Sequence, residues 1–159
     1  MNNAHFHLVV NHLPIVGLLI GILTLIAGLL LRQREVKLTA LSVFIFSAIT
    51  SIVAFYTGEG AEEVMENISG ISETLIHTHE EYAESFFTFT LILGSLSLVG
   101  FIAEIKNFKY SKHLIYLILL LAMADGVLAK YVGTSGGEIR HTEIRDNAKM
   151  IPLDEDDHD

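Results

Sequence analysis

LVVNHLPIVGLLIGILTLIAGLLL, residues 8–31, is interrupted only by Asn11, His12, Pro14, three glycines and Thr24. A bilayer-spanning helix needs about 20 apolar residues, so this run is long enough to cross with some tilt. The preceding residues, Met1 to His7, contain no Lys or Arg. That absence and the length of the apolar run argue for a retained helix rather than a cleaved signal peptide. Three similar runs follow over residues 38–57, 82–105 and 113–132. The expected fold is therefore all-α, an integral membrane four-helix bundle.

Composition agrees. Of 159 residues, 51% are apolar and 18% charged, with a mean hydropathy of +0.49, whereas soluble domains carry roughly 25% charged residues. Residues 1–150 read as one membrane domain, and the acidic run at 151–159 as a disordered tail. The absence of cysteine excludes disulfides, thiolate metal sites, a covalently attached c-type haem and a thiol nucleophile within this chain. A net charge of -9 argues against nucleic acid as a partner. The eight histidines are left to carry the chemistry.

Short loops rich in Lys and Arg mark the cytoplasmic side. Arg32, Arg34 and Lys37 follow the first run, and Lys106, Lys109 and Lys112 follow the third. Those loops are expected inside a bacterial inner membrane, with both termini and the 58–81 connection outside. Lys130, Arg140, Arg145 and Lys149 lie on the outer side and run against the rule. In this topology His5, His7, His12, His77, His79, His141 and His158 share the outer face, and only His113 is inside.

On that face, Gly58–Glu59–Gly60 is expected to end the second span. A short amphipathic helix between spans 2 and 3 then carries Glu59, Glu62, Glu63 and Glu66 opposite Ala61, Val64, Met65 and Ile68. Ser69–Gly70 is expected to break it, with Ser72 capping a helix that runs into the third span. At 100° per residue, His79 falls on a stripe with Ala83, Thr90, Gly94 and Ser97, small residues that let a neighbouring helix approach closely. His77 falls on another face with Glu80, Glu81 and Glu84, as a hydrated helix start. His7 shares the face of Gly17, Gly21, Thr24 and Gly28, and His12 lies nearly opposite. Ionisable groups inside a membrane face the bundle by default, which makes His12 a site candidate. Asp125 shares a face with Ile118, Ala122, Ala129 and Val132. It is expected either to accept a hydrogen bond from a ligating histidine or to bond a Ser or Thr of the second span. Gly133–Thr134–Ser135–Gly136–Gly137 is expected to end the fourth span, letting the Gly pair fold His141 back over the bundle mouth. His158, within the charged tail, is discounted.

Several of these residues recur as a pattern. His7 and His12 stand five apart, with Leu13–Pro14 after the second; Thr57–Gly58 ends the second span, His79 opens the third, and Gly136–Gly137 is followed by His141. Over nearly its whole length the chain resembles a family of bacterial four-helix membrane domains with no settled activity, some attached to cytochrome c modules. It departs at Leu8, where the family has Pro, and in the close spacing of His141 to the Gly pair. The resemblance implies a place near electron transfer, with a cytochrome or other respiratory-chain protein as partner.

Three functions are weighed. A b-type haem module would take axial ligands from His12 and His79, with His141 and Asp125 near the cofactor. A copper, iron or zinc site would draw on His7, His12, His79 and His141 with Glu62 or Glu63. A structural accessory subunit, alone or as a homo-oligomer, would use its histidines as polar anchors in the lipid bilayer. Facing histidines across a gap favour haem, and three or four converging ligands favour a metal ion. No nucleophile motif suggests a hydrolase, and no pair of broken spans suggests a secondary carrier.

Overall fold

The computed structural model describes residues 3–66 and 72–145. Helices α1 (Asn3–Val10) and α2 (His12–Leu30) form the first span. They meet at Asn11, which keeps right-handed backbone angles and donates to the His7 carbonyl at 2.9 Å. The interruption is the work of Pro14, whose ring nitrogen has no hydrogen for the Val10 carbonyl and crowds it. Helix α3 is Arg34–Glu66, α4 is Glu73–Ile105 and α5 is Ser111–Arg140. All four spans are long and apolar enough to cross a membrane.

The two basic loops share one backbone device. Arg32 (φ 55°) and Asn107 (φ 52°) adopt the left-handed conformation. The amides of Arg32 and Gln33 reach Leu29 O and Gly28 O, while those of Asn107 and Phe108 reach Glu104 O and Ala103 O. Each pair is the double bond of a Schellman cap, which satisfies carbonyls that a helix end leaves unpaired. Beside them, the α3 start is clamped to the α4 end. Lys37 forms an ion pair with buried Glu104, and Arg34 Nη2 donates to Glu104 O and Ile105 O, each at 3.0 Å.

The other end departs from expectation. Gly58–Glu59–Gly60 does not end the second span. Residues 59–66 are helical, as predicted, but as the last turns of α3 rather than a separate element. Likewise α5 continues through Gly133–Gly137 to Arg140. Glycine in a helix costs about 1 kcal/mol, but propagating an existing helix gains a hydrogen bond per residue and needs no new nucleus. Ser72 does precede α4, though its carbonyl rather than its side chain engages the first turn, accepting from the amides of Leu75 and Ile76. The Ser69–Gly70 break and the tail with His158 lie outside the described residues.

Neighbours pack in chain order, α2 on α3, α3 on α4, α4 on α5, and α5 closes the ring on α2; α1 lies against α3. Leu18, Leu25, Leu41, Phe44, Leu93, Ile115 and Ile118 fill the interior. Glycine permits the closest approaches, Gly21 against the Phe44 ring and Gly94 against Ala48. Large apolar side chains cover the outside, with Leu30 78% and Leu120 69% exposed. Burying small residues inside and presenting large apolar ones outward is how helices associate in lipid.

Candidate functional site

Because the second and fourth spans overrun their expected ends and α4 starts at Glu73 as expected, a helical collar extends beyond the apolar core. Two half-buried histidines enter it. His7, on α1, places Nδ1 3.1 Å from the Ala54 carbonyl and 3.1 Å from Thr57 Oγ1. A carbonyl only accepts, so His7 carries its proton on Nδ1. Thr57 is compatible, since its own hydrogen goes to the Val53 or Ala54 carbonyl and leaves the oxygen to accept.

The second histidine follows the same logic. His79, on α4, places Nδ1 3.0 Å from Ser135 Oγ on α5. Ser135 Oγ also bonds the Val132 carbonyl at 3.2 Å, a carbonyl that the His79 ring itself engages; with the hydroxyl hydrogen on that carbonyl, the imidazole donates from Nδ1. In both neutral rings the lone pair is therefore on Nε2. The two rings lie close enough to interact electrostatically. Each also has a glycine beside it. A methyl group added at Gly136 would stand 3.0 Å from His79 Cε1, and one at Gly58 would stand 3.7 Å from His7 Cε1. Toward the core, Tyr82 of α4 stacks on Tyr131 of α5 at 5.3 Å about one turn from His79, and Phe55 of α3 on Phe87 of α4 at 4.3 Å about two turns from it. These pairs brace the histidine-bearing turns from below.

The remaining candidates separate. His12 is exposed on the first turn of α2, away from the interior; Pro14, two residues on, is the buried one. It does touch the electrostatic environment of His7. His141 is exposed and accepts no role over the bundle mouth. Its Nδ1 pairs with Glu143 Oε1 at 2.9 Å. That contact, after the larger effect of a bond from Glu143's own backbone amide, holds the Glu143 carboxyl below the usual carboxylate range. The Gly pair serves a different purpose from the one expected. Ile144 packs over Gly137, where an added methyl would meet its Cδ1 at 3.0 Å, and Arg145 Nε caps the Glu138 carbonyl at 2.7 Å. The chain thus doubles back along the end of α5 instead of crossing the bundle.

Glu62 lies beside Glu80 of α4 and near His77, and Glu63 is exposed. His77 is also exposed, 3.9 Å from Glu81, as a hydrated helix start would be. Among the described residues, no group of three or more His, Asp or Glu side chains is arranged to hold a metal ion. The six residues expected as metal ligands are not gathered.

Asp125 is fully buried, near the middle of α5. Its Oδ2 accepts from Thr90 Oγ1 at 2.9 Å, so the hydroxyl partner comes from the third span rather than the second. It bonds no histidine. Its Oδ1, with the hydroxyls of Ser47 and Ser97, is buried without a partner among the described residues. Asp125 belongs to the middle of the bundle, ten residues below Ser135, about 15 Å at the helical rise.

Fold and geometry thus define a class: an up-and-down bundle of four helices of membrane-spanning length, capped at one end by two hydroxyl- and carbonyl-anchored imidazoles. No protein family, curated protein or solved structure matches the chain.

Proposed function

We propose that the protein is a membrane-embedded electron-transfer module of the b-haem type, in which His7 and His79 supply the axial imidazoles at the outer end of the bundle. One observation carries this reading. Both rings are held by their Nδ1 hydrogens, which is the arrangement that fixes tautomer and orientation in metal-bound histidine and leaves Nε2 as the ligand atom. Two neutral imidazoles from different helices are what a bis-histidine haem requires. A bare transition-metal ion needs three or four ligands, and the described residues offer no such group. His7 therefore takes the place first expected for His12.

Bound haem would supply one-electron chemistry. The chain's own contribution is to orient two lone pairs. Ala54, Thr57 and Ser135 hold the rings, Gly58 and Gly136 leave room beside them, and the aromatic pairs separate this polar end from the apolar interior. The charge asymmetry between the ends supports a bacterial inner membrane location with the histidines outside. That location and the resemblance to domains joined to cytochrome c modules agree with a cytochrome as electron partner.

The test is the absorption spectrum of the detergent-purified chain, oxidised and dithionite-reduced, with metal analysis of the same sample after growth with haem and metals supplied. A Soret band that sharpens on reduction, lost in both His7→Ala and His79→Ala but kept in His12→Ala, is the expected result. A colourless, metal-free protein overturns the proposal. Stoichiometric copper, iron or zinc without a Soret band replaces haem with a metal ion.

A further inference from the structure

Away from the histidines, at the basic end, α4 and α5 part to form an open hollow of about 400 Å³. Val99, Ile102 and Ala103 of α4, Leu114 of α5, and Phe108 and Tyr110 of the loop line it. The walls are nearly all apolar. The Schellman cap fixes the floor, because the Phe108 amide is tied to the Ala103 carbonyl at 2.9 Å and the Ser111 amide to the Phe108 carbonyl at 3.0 Å. These bonds fix the loop backbone from which Phe108 and Tyr110 reach the recess.

The loop that supplies Phe108 and Tyr110 to this recess is cationic. Lys106, Lys109 and Lys112 are all exposed, and Lys109 Nζ sits 5.6 Å above the Tyr110 ring. Residues 105–113 contain no acid, the adjacent Glu104 is turned inward to Lys37, and among the described residues none of the three lysines is in an ion pair. The three ammonium groups thus keep their charge for something outside the chain. Lateral to the recess, Val99 is 55% and Leu117 51% exposed on helices of membrane-spanning length. What approaches from that side is acyl chain.

We infer that this recess is a binding site for an anionic glycerophospholipid, one acyl chain lying in the hollow and the phosphate held by Lys106, Lys109 and Lys112. Charge complementarity selects the headgroup, and the apolar walls select a lipid over a free phosphate. Lysine suits the position, because its methylene stem follows the apolar wall while its ammonium reaches the headgroup level. The inference rests on the membrane part of the reading above and not on haem.

The experiment uses the full chain in micelles containing equal amounts of phosphatidylglycerol and phosphatidylcholine with identical acyl chains, and counts retained lipids by native mass spectrometry. Retention of phosphatidylglycerol at least about fivefold over phosphatidylcholine is expected, the contribution of a single lysine near an anionic surface. Lys106→Gln/Lys109→Gln/Lys112→Gln should remove the preference, and Ala103→Phe, which fills the hollow, should reduce retention of both lipids. Arg32→Gln, in the other basic loop, should change nothing. Equal retention by the parent chain overturns the inference, as does a preference that survives the triple substitution or is lost equally with Arg32→Gln. Normal haem content beside equal lipid retention would sink the lipid site alone, and the converse would sink the haem site alone.

Discussion

The two ends of the bundle solve the same problem, ending four helices, by opposite means. At the basic end the α2–α3 and α4–α5 turns close within a few residues, both with a left-handed residue and a Schellman pair, and an ion pair with an arginine clamp ties α3 to α4. At the acidic end the helices run on past their glycines, and histidines bonded to hydroxyls and a carbonyl join α1 to α3 and α4 to α5. The first end spends its helix-end carbonyls and the Lys37–Glu104 pair on itself and leaves only lysine charge facing outward. The second leaves one nitrogen of each histidine available. That difference is why we place the cofactor at one end and only a lipid at the other.

The largest effect should come from unbalancing the closed end. Glu104→Ala leaves Lys37 beside a buried position without its partner, and is expected to cost about 3–5 kcal/mol, read as a lower midpoint of unfolding in detergent. Lys37→Met/Glu104→Met should recover most of it. Equal stability of the single and double variants would show that this end is not held by the pair.

A smaller effect separates the glycines of the open end by what they face. Gly136→Ala should displace the His79 ring and weaken cofactor retention, whereas Gly58→Ala, at ordinary contact distance from His7, should retain it. Cofactor content after matched purification decides between them. Gly133 has nothing within reach of an added methyl, so Gly133→Ala should raise stability by about 0.5–1 kcal/mol. A loss instead would mean that the extension of α5 is not helical in the protein at work.

At the closed end, Arg32→Gly should stabilise by about 1 kcal/mol, since the Cβ of Arg32 in the left-handed region carries strain that glycine lacks. Asn107→Gly should gain less, because asparagine tolerates that region better. Thermal midpoints of the two variants give the comparison directly.

The smallest effect belongs to His141. His141→Ala should leave cofactor content and unfolding unchanged, because the ring is exposed and bonded only to its neighbour Glu143. The lowered pKa of Glu143 makes this bond favour the folded state above the unfolded carboxylate pKa and lose that contribution as pH falls through the folded one. Being fully exposed, it should leave no resolvable step in an acid titration of stability. Loss of cofactor in this variant would reopen the idea of a lid.

Much of this was legible without coordinates. Four apolar runs of sufficient length imply four helices, and the basic loops separate the ends. Asp125 facing inward followed from helical periodicity. His79 on a small-residue stripe did as well. The face of His7, shared with Gly17, Gly21 and Gly28, points inward. The preference for His12 came from its depth in the apolar run, and Pro14 changes the angle of everything before it. Ser135 went unseen because the glycines around it read as a break. Had the helix been continued, Ser135 would have extended the stripe of Asp125, Ala129 and Val132.

The all-α class, the four runs long and apolar enough to cross a membrane and the charge difference between ends were set by the sequence alone, because each depends only on local composition and a fixed period. The partners were not. That Asp125 meets Thr90 rather than a histidine, that His141 turns to Glu143, and that His7 and His79 rather than His12 share the collar depend on how four helices are rotated and kinked against one another. Those rotations are chosen by close contacts between residues far apart in the chain, Gly21 with Phe44 and Gly94 with Ala48, and packing of that kind is decided only when the whole bundle forms.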